Sequence, residues 1–276
     1  LALQKHAEGT LEKGLFNLES ILEMKIVHRG SFKCKSCDNL CEIRKLEVGG
    51  TRYPFGGRCS KFTNSRRKKR KGVETTNWVQ VRSDMLFRDF APAPESFPDE
   101  GTTVGVPMAF SVHSLWPLYS WFFCNLGVKL VPSDNVLDEG IAKIESNYCF
   151  PSEIAHGALQ DIVEKDTDFV FMPFFKKMPS HEKGPVHATV CPLTQGMPFF
   201  LKQAFGIDES KIFRPVVDIS GDSEGTVQEF EEIALRLGKT RQDGLKAFQK
   251  GLHEYNRFLL AYRKLGDEVL EEIENN

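Results

Sequence analysis

No run of this chain reaches the roughly 20 apolar residues that a membrane-crossing helix needs. Its most apolar stretch, 115–131, is broken by Pro117, Ser120, Asn125, Gly127 and Lys129. Residues 1–10 lack the apolar core of a signal peptide, so a cytoplasmic location is expected. Excess charge of one sign is also missing: 36 Lys and Arg stand against 38 Asp and Glu in 276 residues, a net charge of −2. With 41% hydrophobic and 27% charged residues, the composition excludes a disordered chain, a collagen and a disulfide-dense miniprotein. There is no GxGxxG, P-loop, HExxH or GxSxG, which withholds the usual dinucleotide, nucleotide, zinc-protease and serine-hydrolase readings. The chain starts at Leu1 rather than Met, which leaves open a start within a longer gene product or the removal of an initiator segment.

The near-neutral total conceals a split. Residues 25–71 hold 15 Lys and Arg against 3 Asp and Glu, a local charge of +12, which leaves −14 for the remainder. Four of the seven cysteines, Cys34, Cys37, Cys41 and Cys59, lie inside that basic block. An odd cysteine count with CxxC spacing and no export signal favours reduced thiols or metal ligands over disulfides.

The chain divides into a helical lead-in at 1–24, a basic cysteine module at 25–72, a linker at 73–101, an α/β domain at 102–240 and a C-terminal helix at 241–276. In the lead-in, Leu11, Leu15, Leu18 and Leu22 recur at helical spacing, a stripe suited to another surface. The module has little with which to build a core, and about 40 residues usually need a metal or cross-links to fold. Residues 90–101 (FAPAPESFPDEG) are Pro-rich and read as linker. From Thr102 onward strands alternate with helices. Strands are expected at 103–110, 128–131, 168–174 and 213–219, and helices at 113–126, 138–144, 151–164 and 198–205. That order predicts a Rossmann-like, mostly parallel sheet covered on both faces. Val227, Phe230, Ile233 and Leu237 mark an amphipathic helix. In the last segment, Leu245, Phe248, Leu252, Tyr255, Leu259 and Tyr262 repeat at spacings of 3 and 4. A helix packed on the domain's own core is favoured there over a dimerising coiled coil, because clean heptads are few.

Chemistry concentrates on thiols. Cys34-x2-Cys37-x3-Cys41, with Cys59 after seventeen intervening residues, can bring four thiolates to one tetrahedral ion or one cubane. Gly49-Gly50 and Gly56-Gly57 supply tight turns, and the surrounding Lys and Arg offset a tetrathiolate's charge. Structural zinc, an iron–sulfur cluster and free thiols all remain open. A second set is Cys149 in SNYCFPSE and Cys191 in TVCPLTQGMPFF, each followed by proline and then a helix. Cysteines at helix N-termini favour anionic centres, and in open α/β sheets such loops gather at the ligand crevice. Isolated cysteines are also common as small buried hydrophobes, and Cys124 in WFFCNLG reads as core. His156 lies two helical turns after Cys149 and either lines the same site or is a satisfied structural residue; His113 has the same two readings. The basic run 66–71 is either a solvated loop or the arm of a zinc ribbon that binds nucleic acid, helped by Tyr53, Phe55, Phe62 and Trp78.

Four segments occur in one order: FKCKSCDNLCEIRKLEVGGTRYPFGGRC, TVGVPMAFSVHSLWPLYSWFFCNLGVKLVPSD, SNYCFPSEIAHGALQDIVEKDTDFVFMPF and CPLTQGMPFF. Together, over 32–205, they resemble the uncharacterised domain of large 2-hydroxyacyl-CoA dehydratase activase proteins of anaerobes. They are more distantly similar to 2-hydroxyacyl-CoA dehydratase and benzoyl-CoA reductase subunits. The resemblance implies a Rossmann-like lobe with a 4Fe-4S-type cluster at Cys149 and Cys191, with His156-Gly157 matching the family's His-Gly. It leaves zinc or a second iron–sulfur cluster for Cys34, Cys37, Cys41 and Cys59. It further implies ATPase activase domains and a dehydratase-like domain or subunit as partners, ATP-driven low-potential electron transfer as the role, and no catalysis by this chain alone. Neither a membrane nor nucleic acid is expected as a partner, and the zinc-ribbon nucleic-acid binder is the alternative.

Overall fold

The computed structural model describes residues 25–37, 39–59, 61–64, 76–146, 149–178, 189–221 and 224–274. The expected lead-in helix at 1–24 and the basic run at 66–71 lie outside the described residues. The chain divides into two compact units, Leu1–Thr75 and Thr76–Asn276.

Gly49 and Gly50 set the architecture of the first unit. Both have positive φ, 54° and 75°, the combination that a two-residue hairpin loop demands and that glycine adopts without a Cβ clash. They join β2 (Glu42–Val48) to β3 (Thr51–Phe55), with Val48 opposite Thr51. Before them β1 (Ile26–Lys33) pairs antiparallel with β2, Phe32 opposite Ile43, with a bulge between His28 and Ser31. The result is a three-stranded antiparallel ribbon in the order β1-β2-β3, followed by one helical turn, α1 (Lys61–Asn64).

In the second unit the alternating pattern becomes a parallel sheet, as expected. Its strands are β4 (Thr103–Val106), β5 (Lys129–Pro132), β6 (Phe169–Phe171) and β8 (Ile212–Phe213), in the order β5-β4-β6-β8. Helix α3 (Trp116–Asn125) connects β4 to β5, and α5 (Phe150–Glu164), after the short α4 (Asp138–Ile141), connects β5 to β6. The first connection moves one way along the sheet and the second moves back across β4. Right-handed crossovers therefore place α3 and α5 on opposite faces. Helix α6 (Pro192–Phe205) joins α5 on its face, while α7 (Glu224–Arg236) and α8 (Arg241–Glu274) pack with α3 on the other.

Two expected strands are each cut in two by proline. Pro173 separates β6 from β7 (Phe174–Lys177), and Pro215 precedes β9 (Val216–Asp218) just after β8. Proline has no N–H for a ladder, and both interruptions fall at one level. Met172 N donates to Phe213 O at 2.8 Å and Phe174 N donates to Pro215 O at 2.9 Å. Beyond that level β7 and β9 form their own two-stranded parallel sheet. The first strand likewise stops at Val106, before Pro107, rather than running to Phe110. Helix α6 begins at Pro192 instead of 198 and carries Pro198 in its interior.

The stretch 73–101, expected as linker, contains a helix in its described part: α2 (Trp78–Asp84) runs on through a wide turn at Met85–Asp89, and Leu86 is fully buried in the core. That core is aromatic. Tyr119, Phe122 and Phe123 of α3 meet Phe171 of β6, Phe230 of α7 and Phe248 of α8. The first half of α8 packs on it through Gly244, Ala247, Phe248, Gly251, Tyr255 and Phe258. From Leu260 on, the helix is mostly exposed, so only half of it follows the expectation of packing on the domain. Among the described residues no helix is long and apolar enough to cross a membrane.

Candidate functional site

The order β5-β4-β6-β8 reverses direction at β4, so a crevice opens beyond the carboxyl ends of β4 and β6. The chain leaves β4 through Pro107–Ser111, where Phe110 sits at φ 49°. A bulky residue in the left-handed region is strained. The Phe110 ring packs edge-on against Phe200 of α6, with centroids 6.4 Å apart.

Helices α5 and α6 lie on one face of a parallel sheet, and both begin at this carboxyl edge. Cys149 is the N-cap of α5 and Cys191 the N-cap of α6. Neither side chain bonds its own helix, and a proline follows within two residues of each; the cysteine carbonyls accept from the first turn instead, Cys149 O from Ser152 N at 3.0 Å and Cys191 O from Gln195 N at 3.1 Å. The structure thus brings the two sequence-predicted cysteines to the start of neighbouring helices. Cys149 is half-buried and Cys191 exposed.

Between the two helices is a cavity of about 200 Å³, lined by Lys143, Ser152, His156, Leu193, Phe200 and Gln203 among others. His156 is buried. Its Nδ1 lies 2.8 Å from Ser152 O, and a carbonyl only accepts, so Nδ1 carries the proton. Of the two neutral tautomers, this bond selects the one with its lone pair on Nε2, the form required of an acceptor or a ligand. Phe200 stacks on the ring at 5.4 Å and 13°, which fixes its plane. His113, by contrast, contacts Met108 O at 2.9 Å and sits edge-on to Phe87, the structural role among its two readings. Cys124 is half-buried rather than core, with its Sγ 3.6 Å from Ser96 O.

The residue after His156 explains how the site is braced. A Cβ on Gly157 would lie 2.5 Å from Val136 Cγ1 and 2.9 Å from Leu137 N, and one on Gly140 would lie 2.3 Å from His156 O. The 136–141 segment therefore rests directly on α5 at the level of His156. One turn on, Asp161 holds the start of that segment: it accepts from Asp134 N at 2.9 Å and Asn135 Nδ2 at 3.0 Å, and pairs with Lys165 Nζ at 2.8 Å. Burial pushes the Asp161 carboxyl up, but Lys165, Asn135 and Asp134 outweigh it and hold it down to about 2. A depressed carboxylate stabilises the fold fully above its unfolded value near 3.8 and loses that contribution as pH falls through about 2. Asp161→Ala is expected to cost about 2–3 kcal/mol at neutral pH by stranding these donors. It is also expected to flatten the acid limb of stability between about pH 4 and pH 2, read by urea titration at each pH.

In the other unit, the knuckle Cys34–Cys41 links β1 to β2. Cys34 N donates to Cys41 O at 2.8 Å, and Leu40 N to Cys37 O at 3.3 Å with Leu40 at φ 42°. Strand β3 runs antiparallel to β2, with Phe55 opposite Arg44, so Gly56–Cys59 returns to the knuckle's end. All four cysteines therefore reach one end of the ribbon. Hydrogen bonds from the Ser36 hydroxyl and backbone, with Lys61 adding its charge, hold the Cys34 thiol below its ordinary value. The Lys61 ammonium donates to Ser36 Oγ. Among the described residues, no group of three or more Cys, His, Asp or Glu side chains stands close enough to hold a metal ion.

The strands and helices of the second unit fall almost entirely within one match. Residues 103–276 fit the family model described as the CoA enzyme activase uncharacterised domain. The chain belongs to this family. No curated protein and no solved structure matches it. In the activase-family domain, Phe110, Phe200 and Ser152 are site residues that sequence reasoning missed. Ser152 was open to discovery, since it stands one helical turn before His156. Nothing in the sequence marks Phe110 as left-handed.

Proposed function

We propose that this activase-family domain holds an iron–sulfur cluster and supports ATP-driven, low-potential electron transfer to a dehydratase- or reductase-type enzyme. The observation that carries the reading is the pairing of Cys149 and Cys191 as N-caps of neighbouring helices. Their chemistry fits such a group: thiolates are its usual ligands, and two helix starts offset the charge of an anionic centre. Cys149 and Cys191 would hold it, with further ligands coming from outside the described residues, since His156 does not stand with the two thiols as a three-ligand group. When bound, the cluster supplies one-electron transfer at a potential set by burial and hydrogen bonds to sulfur. The chain's own contribution is to fix the two thiols, orient the imidazole through Ser152 and Phe200, and keep one wall of the cavity apolar.

Cys34, Cys37, Cys41 and Cys59 are proposed to bind zinc or a second cluster, and rotation of their side chains would close them around it. Lysines and arginines in the same module offset the charge of four thiolates. Family membership supports ATPase activase domains and a dehydratase-like enzyme as partners. On this reading the chain does not catalyse alone.

Anaerobic purification followed by iron, zinc and sulfide analysis and an absorption spectrum tests the proposal. Iron and sulfide are expected in the wild type, and Cys149→Ala with Cys191→Ala is expected to remove at least about half of the iron while zinc, if present, stays. Zinc alone, together with steeply salt-dependent nucleic-acid binding, would sink the reading. So would an iron content that the double variant leaves untouched.

A further inference from the structure

Among the described residues seven polar side chains are buried, and five of them are paired within the protein. Ser120, Thr167 and Thr226 donate to backbone carbonyls, Asp161 holds Lys165, and Glu254 holds Lys250 and Arg257. The other two are Ser152 and His156, 3% and 5% exposed. Neither the Ser152 hydroxyl nor His156 Nε2 has a partner among the described residues, and both side chains line the same cavity between α5 and α6. They stand one helical turn apart on α5 and so share a face. A buried polar group left unpaired is costly, and two of them on one wall call for a common partner. The Tyr119 hydroxyl is unpartnered as well, but its ring is packed against Phe171 and Phe230 inside the core.

We infer that this cavity binds a short-chain carboxylic acid. Its volume is about 200 Å³. A cavity of about 150 Å³ takes benzene, so a molecule of about six to eight non-hydrogen atoms fits here. Ile144, Leu193 and Phe200 line it with apolar surface suited to an alkyl chain. The buried polar pair is complementary to a carboxyl group. The Ser152 hydroxyl donates to one oxygen. The other oxygen shares its proton with His156 Nε2, whose lone pair is left for it by the Nδ1 bond to Ser152 O. A carboxamide offers the same pattern with a weaker donor, whereas the acid's proton can pass to the imidazole and make the bond charge-assisted, about twice as strong as a neutral one. Lys143 and Glu145 both line the cavity from exposed positions, so their opposite charges cancel and the buried pair decides the ligand. Neither Cys149 nor Cys191 lines it, and the acid's site stands whether or not the thiols hold a cluster.

Ligand-observed NMR on the full chain, with sodium butyrate as the probe, tests the assignment. Butyrate is expected to bind with a Kd of about 1 mM or tighter, within reach of six non-hydrogen atoms, and butyramide at least about tenfold more weakly. Ser152→Ala and His156→Phe are each expected to weaken butyrate about tenfold. Leu193→Trp, which fills the cavity and leaves the polar pair in place, is expected to abolish binding with the circular dichroism spectrum unchanged. Cys149→Ala with Cys191→Ala is expected to bind butyrate like the wild type, which separates this outcome from that of the iron analysis. No binding at about 10 mM butyrate means that water alone fills the cavity and overturns the assignment. Binding that Leu193→Trp or both polar substitutions leave intact overturns it equally, as does binding that the double cysteine variant loses or that butyramide matches.

Discussion

Phe230→Ala is expected to lower the unfolding free energy of the α/β unit by about 3–5 kcal/mol, a large share of the roughly 5–15 kcal/mol that domains possess. Phe230 is fully buried. Its ring meets Phe122 at 4.7 Å, Phe248 at 4.9 Å, Tyr119 at 6.3 Å and Phe171 at 6.4 Å. These partners come from α3, α8 and β6, so removing the ring opens a cavity where three elements meet, and rigid neighbours cannot collapse into it. All three tryptophans, Trp78, Trp116 and Trp121, belong to this unit, so their fluorescence follows its unfolding without signal from the ribbon. A loss of that size should move the urea midpoint down by about 1–2 M. A shift below about 0.3 M would mean that the aromatic cluster does not bear the stability assigned to it.

The second large effect comes from adding a single methyl group. A Cβ on Gly251 of α8 would lie 2.3 Å from the backbone oxygen of Leu118 in α3, and a backbone atom cannot rotate away. Gly251→Ala is therefore expected to destabilise by about 3 kcal/mol, near the upper end of ordinary overpacking. Gly266 supplies the control: it lies in the same helix with nothing within 4 Å of its Cβ position. Gly266→Ala is expected to stabilise by about 0.5–1 kcal/mol through helix propensity alone. One substitution at two places in one helix thus has opposite signs, and urea midpoints of the two variants check both. Equal effects would refute the close crossing of α8 over α3.

The parallel sheet was legible because each strand is a short apolar run between helical patterns, and the placement of Cys149 and Cys191 followed because the chain leaves parallel strands at one edge. Pro151 marked the helix start that Cys149 caps. Proline also caused the clearest misreading: Pro198 looked like a helix start, yet a proline is tolerated where its neighbours absorb the lost hydrogen bond. Leu86 was hidden because its surroundings are polar and Pro-rich, and only tertiary packing buries it. The apolar spacing of α8 continues unchanged past Phe258 although its environment does not, since periodicity records a face and not what lies against it. At the site, Ser152, His156 and Gly157 share a helix and their geometry could be inferred. Phe110 and Phe200 come together through the fold alone.

Helix α8 has a mechanical consequence. Its last buried residue is Phe258, and the 16 residues from there to Glu274 extend about 24 Å as a stiff rod. A rotation of about 5° at Phe258 carries the last turn through about 2 Å. The helix is thus a lever whose fulcrum lies in the aromatic core and whose free arm is in solvent, so small changes in core packing are magnified at its tip.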